Sequence, residues 1–203
     1  MVKLLKKADK EVKRLITLSP VKPQLTLEDF LALPETKPCR EYVDGKIEQK
    51  PMPQGEHSVI QTFLSSRINE VGKPRKVALA LTELRCNIND RSFVPDISVF
   101  TWERIPKTSM GRIANRINTY PDWMIEILSP EQSANKVIKK IMVCLEAGTQ
   151  LGWLVDPEDE SVLVFQPQQF PEMKSEGDTL PVLEPLSMLA LSAGELFSWL
   201  SLG

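Results

Sequence analysis

Two carboxylates stand inside runs that otherwise read as apolar strands. Asp96 follows a proline in "RSFVPDISVF", residues 91–100, and Glu126 sits in the middle of "DWMIEILSP". Removing an ionised carboxylate from water is costly unless it is paired, hydrogen-bonded or given a metal. Two chemistries therefore compete at each acid: a structural salt bridge to Arg or Lys, or a share in a bound cation. Three features favour the cation. Glu126 comes near a strand end and just before a predicted helix, where open sheets commonly hold their sites. That helix carries Lys136, Lys139 and Lys140. Lys140, three residues after Val137 and four before Cys144, borders its apolar stripe and can turn back toward the sheet. Finally, the connection between the acid strands carries Arg104, Lys107, Arg112 and Arg116. Two acids, a lysine and nearby cations suit metal-dependent phosphodiester hydrolysis. The acids hold Mg²⁺ or Mn²⁺, the ion lowers the pKa of a bound water, and the lysine orients or deprotonates that water.

The elements that must position these groups follow from pattern. "LTLEDFLAL" predicts a short helix with Thr26 as N-cap and Asp29 completing a capping-box variant. "REYVDGKIEQK" predicts a hairpin turning at Asp44-Gly45. Val59, Ile60, Phe63, Leu64 and Ile68 recur at helical spacing, which predicts a helix from about Glu56 to Val71. Three strands are expected next, in "KVALALTEL", "LRCNI" and "SFVPDISVF", with a turn at Asn89-Asp90. After the Glu126 strand, Ser129 as N-cap, Pro130, Gln132 and Gly148 frame a helix. "LGWLVDP" and "SVLVFQP" predict two more strands, and "SAGELFSWLSL" a closing helix. The order gives an α/β or α+β fold around a mixed sheet flanked by helices.

Composition narrows the function classes. The chain has 203 residues, 42% of them hydrophobic, enough for a core, and a net charge of −2. It is not a basic nucleic-acid coat, so an anionic partner must be met by local patches or a metal. No Gly-rich phosphate loop is present, which disfavours a nucleotide cofactor. No segment approaches the roughly 20 apolar residues of a membrane span. Cys39, Cys86 and Cys144 are widely spaced and odd in number, which fits free thiols and a cytoplasmic location. Residues 1–24 form a basic amphipathic extension and linker, and residues 25–203 the main domain.

"VPDISVF", "DWMIEILSPEQS" and "KKIMVCLEAGTQLGWLVDP", in that order, resemble the Uma2-type endonucleases of the PD-(D/E)xK, restriction-endonuclease-like superfamily, a family abundant in cyanobacteria. The likeness begins near Leu25 and takes in "LTLEDFLALP", "REYVDGKI" and "GEHSVIQTFL". It implies a restriction-endonuclease-like core and a DNA endonuclease with Asp96 and Glu126 as metal ligands. The Ile127 carbonyl is a further implied ligand, and Glu41 matches an acid that many superfamily members add to the metal site, the alternative being a solvated edge-strand charge. The superfamily lysine normally stands two residues after the second acid, where this chain has Leu128. Lys140 matches the displaced slot on the following helix. His57 and Gln61, one turn apart, would face a phosphate or the metal shell. Lys136 replaces an acid common in the family, and Cys144 a common tyrosine; Lys136 changes the charge beside the site and could meet substrate. A homodimer is expected, because one active site cuts one strand. The competing expectation is an inactive member of the fold, serving as a binding or interaction module whose acids form salt bridges.

Overall fold

The computed structural model describes residues 25–130, 132–201 and 203. The basic amphipathic extension expected over residues 1–24 lies outside them. Helix α1 (Leu27–Leu31) opens on a reciprocal cap: Thr26 Oγ1 accepts from the Asp29 N–H, and Asp29 Oδ2 accepts from the Thr26 N–H. Its one buried side chain, Phe30, stacks on Tyr42 and so fixes the helix to the hairpin that follows. Strands β1 (Arg40–Val43) and β2 (Lys46–Gln49) turn at Asp44-Gly45, both at positive φ, as a primed two-residue turn requires.

Helix α2 (Gly55–Arg75) runs beyond the predicted Glu56–Val71 at both ends. Pro74 stands in its last turn, and Lys76 in the left-handed region closes it. Gly72 brings α2 against the next strand, since a Cβ there would lie 2.5 Å from the Ala78 carbonyl oxygen. Four strands follow: β3 (Ala78–Thr82), β4 (Cys86–Ile88), β5 (Arg91–Phe93) and β6 (Ile97–Thr101). The run expected to be one strand, "SFVPDISVF", is therefore two. Pro95 has no N–H to give a ladder, and the chain leaves one sheet at Phe93 to enter the other at Ile97. Asp96 thus stands on the threshold of β6 rather than within a strand.

Strand β7 (Trp123–Ile127), helix α3 (Ala134–Ala147) and strand β8 (Leu151–Asp156) form a crossover unit, and β7 and β8 are parallel. The expected N-cap, Ser129, is displaced: α3 starts a turn later, behind Ser133. Gln132 still serves Ser129, whose N–H donates to Oε1 at 3.1 Å, but it does so in the preceding turn. Gly148 ends α3 as predicted. Strands β9 (Ser161–Phe165) and β10 (Glu172–Ser175) and helix α4 (Ala193–Ser198) complete the chain.

Two sheets result, ordered β2-β1-β5-β4 and β10-β9-β8-β7-β6-β3. The first is antiparallel throughout, and the second is mixed through its β7–β8 pair. Side-chain alternation along β7 divides the interior in two. Trp123, Ile125 and Ile127 pack with Ile60, Leu64 and Ile68 of α2 and with Leu196 of α4. Met124 packs on the opposite side with Ile141 and Cys144 of α3 and with Phe93 of the smaller sheet. Gly152 lets α3 settle onto β8, because a Cβ there would lie 2.4 Å from Ile141 Cγ2. Among the described residues, no helix is long and apolar enough to cross a membrane.

Candidate active site

The register of β6 with β7 pairs Ile97 with Ile125. Continued by one residue, it sets Asp96 opposite Glu126. Glu126, next to Ile125 on β7, faces α3 and the smaller sheet by period two. On α3, Val137, Lys140, Ile141 and Cys144 are the buried residues, a single stripe at helical spacing. Lys140 is the one cation in that stripe, and its Nζ lies 2.7 Å from Glu126 Oε1. The same ammonium donates to Glu41 Oε1 at 2.6 Å. Glu41 is not a solvated edge charge. Strand β1 lies inside its sheet, and Glu41 Oε1 also accepts from the Val94 N–H at 2.6 Å.

Asp96 is held from every side. Its Oδ2 accepts from the Ile127 N–H at 2.7 Å. Its Oδ1 accepts from Lys50 Nζ at 2.7 Å and stands 3.2 Å from His57 Nε2. Gln61, one turn after His57 on α2, donates to the Asp96 carbonyl at 2.9 Å. The strand break at Pro95 leaves the Val94 carbonyl to accept from Lys50 at 2.8 Å, with Lys140 at 3.4 Å. Asp96, Glu126, Lys140, Glu41, His57, Gln61 and the Ile127 backbone are thereby gathered in one place. Lys136 is not part of that group: it is 71% exposed and pairs with Glu48 at 3.1 Å on the surface. Arg104, on the connection expected to supply cations, binds Asp122, which precedes β7 at the end away from Glu126.

Asp96 and Glu126 are each only 2% exposed, and burial and neighbouring charge compete to set their protonation. Burial acts to raise the Asp96 carboxyl, but Lys50 and His57 outweigh it and hold the group well below the usual range. Burial pushes Glu126 up to about 8, against the pull of the Lys140 ammonium. Burial acts to lower Lys140, yet Glu126 and Glu41 raise it above its ordinary value, so it stays protonated.

Lys50 is the principal residue that sequence reading missed. It follows β2 in "EQKPMP", where no periodicity marks it, and only the fold carries it to Asp96. Glu83, 3.4 Å from Lys50, was missed for the same reason.

The donors suit a hard divalent cation in kind: carboxylate and carbonyl oxygens. Glu126 Oε1 is buried and, although paired in charge with Lys140, has no directed hydrogen bond. A cation could take that oxygen. Ammonium groups now stand between the acids, and among the described residues no three His, Cys, Asp or Glu side chains converge as a ready metal cage.

The comparisons with known proteins agree with this architecture. The crystal structure of "a putative nuclease belonging to DUF820" from Anabaena variabilis is 55% identical, covering 87% of this chain and 99% of that one, with a TM-score of 0.85. No curated protein matches. The sequence model of Uma2, described as "Putative restriction endonuclease", matches residues 27–194. The chain belongs to the Uma2 family.

Proposed function

We propose that the chain is a divalent-metal-dependent endonuclease that hydrolyses phosphodiester bonds of DNA. The observation that carries this reading is the placement of Asp96 opposite Glu126, with Lys140 at 2.7 Å from the second acid. Asp96, Glu126 and the Ile127 carbonyl would hold Mg²⁺ or Mn²⁺, with Glu41 reaching the site through Lys140. The bound ion supplies Lewis acidity and a water acidified toward neutrality. The remaining work falls to the chain's own side chains. His57 and the Ile127 N–H fix the Asp96 carboxylate, and Gln61 fixes its backbone. Lys140 stays protonated between Glu126 and Glu41 and is placed to orient the nucleophile or steady charge on a phosphate. Lys136 and Lys139 border a cleft of about 880 Å³ between the β1–β2 hairpin and α3. They offer contacts to phosphates away from the cut, which position a strand without reading its sequence. A two-fold dimer would set two such sites on opposite strands. Free thiols suit work in a reducing cytoplasm.

One observation favours a second reading. Lys50 and Lys140 already neutralise the acids, as they would in an inactive binding module that keeps its carboxylates as ion pairs. Cleavage of plasmid and oligonucleotide DNA with Mg²⁺ or Mn²⁺ decides between them. The nuclease reading expects metal-dependent cutting that Asp96→Asn and Glu126→Gln bring to background. Lys140→Ala should lower it by about a hundredfold or more, the scale of a lost acid–base group. Absence of cutting with either metal, or cutting that survives Asp96→Asn, leaves the binding module.

A further inference from the structure

A second cavity, of about 310 Å³, adjoins Asp96 and borders the main cleft. Its walls are largely apolar, formed by Pro38, Pro51, Met52 and Pro53. Asp96 and His57 also line it. His57 is 6% exposed, and among the described residues its Nδ1 has no hydrogen-bond partner. The cavity meets the main cleft at Lys50, which borders both together with Pro38, Pro51, Met52 and Gln132. Gln132 accepts from the Ser129 N–H through Oε1, and nothing among the described residues accepts from its Nε2.

We infer that this cavity receives one nucleoside of the DNA strand, turned out of its stack, while the adjoining phosphate rests at Lys50, where the cavity meets the main cleft. The inference rests on the nuclease reading and names the form of substrate it takes. Size argues for a single nucleoside. The volume lies at the small end of ligand pockets, too small for a stacked pair and continuous with the phosphate position. Proline rings and an adaptable methionine suit the face of a base, as apolar walls do where enzymes hold an extruded nucleotide. The Gln132 amide supplies a polar group of the kind that such a pocket uses to orient its guest. Unstacking is least costly in single strands, at ends and at mismatches. The protein therefore prefers those to a perfect duplex.

Cys39 provides the test, because it lines the cavity and is partly exposed, whereas Cys86 and Cys144 are fully buried. Lys50 and Lys140 already neutralise the acids, so binding can be measured in a chelator without cleavage. A single-stranded oligonucleotide at about ten times its Kd is expected to slow Cys39 alkylation by N-ethylmaleimide about tenfold. The same oligonucleotide with abasic sites is expected to bind by fluorescence anisotropy yet leave Cys39 reactive. Cys39→Phe, which fills the cavity, should weaken the intact oligonucleotide to the level of the abasic one. If the intact strand binds and Cys39 reacts at its free rate, the pocket assignment is overturned while the nuclease reading stands. Protection of Cys39 without metal-dependent cutting upholds the pocket and overturns the nuclease. Failure of any oligonucleotide to bind overturns both.

Discussion

Lys50 and Lys140 act as counter-ions in place, and this makes the acids' behaviour measurable without substrate. Lys50→Gln removes the ammonium from Asp96 Oδ1. It should tighten Mn²⁺ binding by about tenfold or more in calorimetry, since each tenfold needs only about 1.4 kcal/mol. It should also destabilise the metal-free protein by about 3 kcal/mol, the scale of a buried charge left without its partner. Unchanged Mn²⁺ affinity would mean that Lys50 does not stand in the ion's way. Glu126 gives a pH signature of uncommon sign for a carboxyl. Its ordinary value of 4.5 is raised to about 8 by burial, so the folded state binds its proton more tightly than the unfolded state does. Stability in chelator therefore falls as pH rises through that window, and Glu126→Gln should flatten the fall in urea midpoints. Asp96 behaves oppositely. Held below its ordinary 3.8, it contributes stability above that pH, and the contribution is lost on acidification. Asp96, Glu126 and Lys140 were legible in the sequence because each breaks an apolar pattern. Lys50 breaks none: a lysine before a proline in a loop reads as solvated until the fold buries it.

At the level of elements, local chemistry was readable where it was self-contained. The Asp44-Gly45 turn and the Thr26–Asp29 cap depend on neighbours in sequence, and both form as their residues predict. The start of α3 was misread because Ser129 and Gln132 satisfy each other in a turn that does not continue as helix. The division of "SFVPDISVF" was hidden for a different reason. A run of strand-forming residues does not say that its halves join different sheets, although Pro95 marks the place. The seating of α3 on β8 decides whether Lys140 reaches Glu126, and Gly152 permits it. Gly152→Ala would drive a methyl into Ile141 Cγ2, the side chain next to Lys140. Overpacking of this kind costs about 1–3 kcal/mol. For a chain of this size that lowers Tm by about 2–4 °C for each kcal/mol. The variant should also lose cleavage more than Gly72→Ala, which crowds α2 against β3 and leaves α3 in place. Equal loss in the two variants would mean that stability alone is being read.

Over the whole molecule, the site lies on a seam. The larger sheet supplies Asp96 and Glu126, the smaller sheet Glu41, the segment after β2 Lys50, and the helices His57, Gln61 and Lys140. No single sequence window contains it, so Asp96, Glu126 and Lys140 could be grouped by their chemistry while Lys50 could not. A dimer leaves a kinetic trace that a lone site cannot. Plasmid should be linearised in one encounter at high protein concentration, with nicked circles accumulating on dilution, as resolved on a gel. Nicking alone at all concentrations would indicate a protomer that acts singly.

The hairpin and α3 are joined across the main cleft by Lys136 to Glu48 and Lys139 to Asp44. Pairs so exposed stabilise little and weaken as salt rises. The two sides of the cleft are thus tied by a latch rather than a wall. On the nuclease reading, a polyanion entering it would meet two lysines whose present partners hold them loosely, and exchanging carboxylate for phosphate would loosen the hairpin as it seats the strand. Ionic strength then acts on the latch and on the guest in opposite directions, and entry is easiest at some intermediate salt.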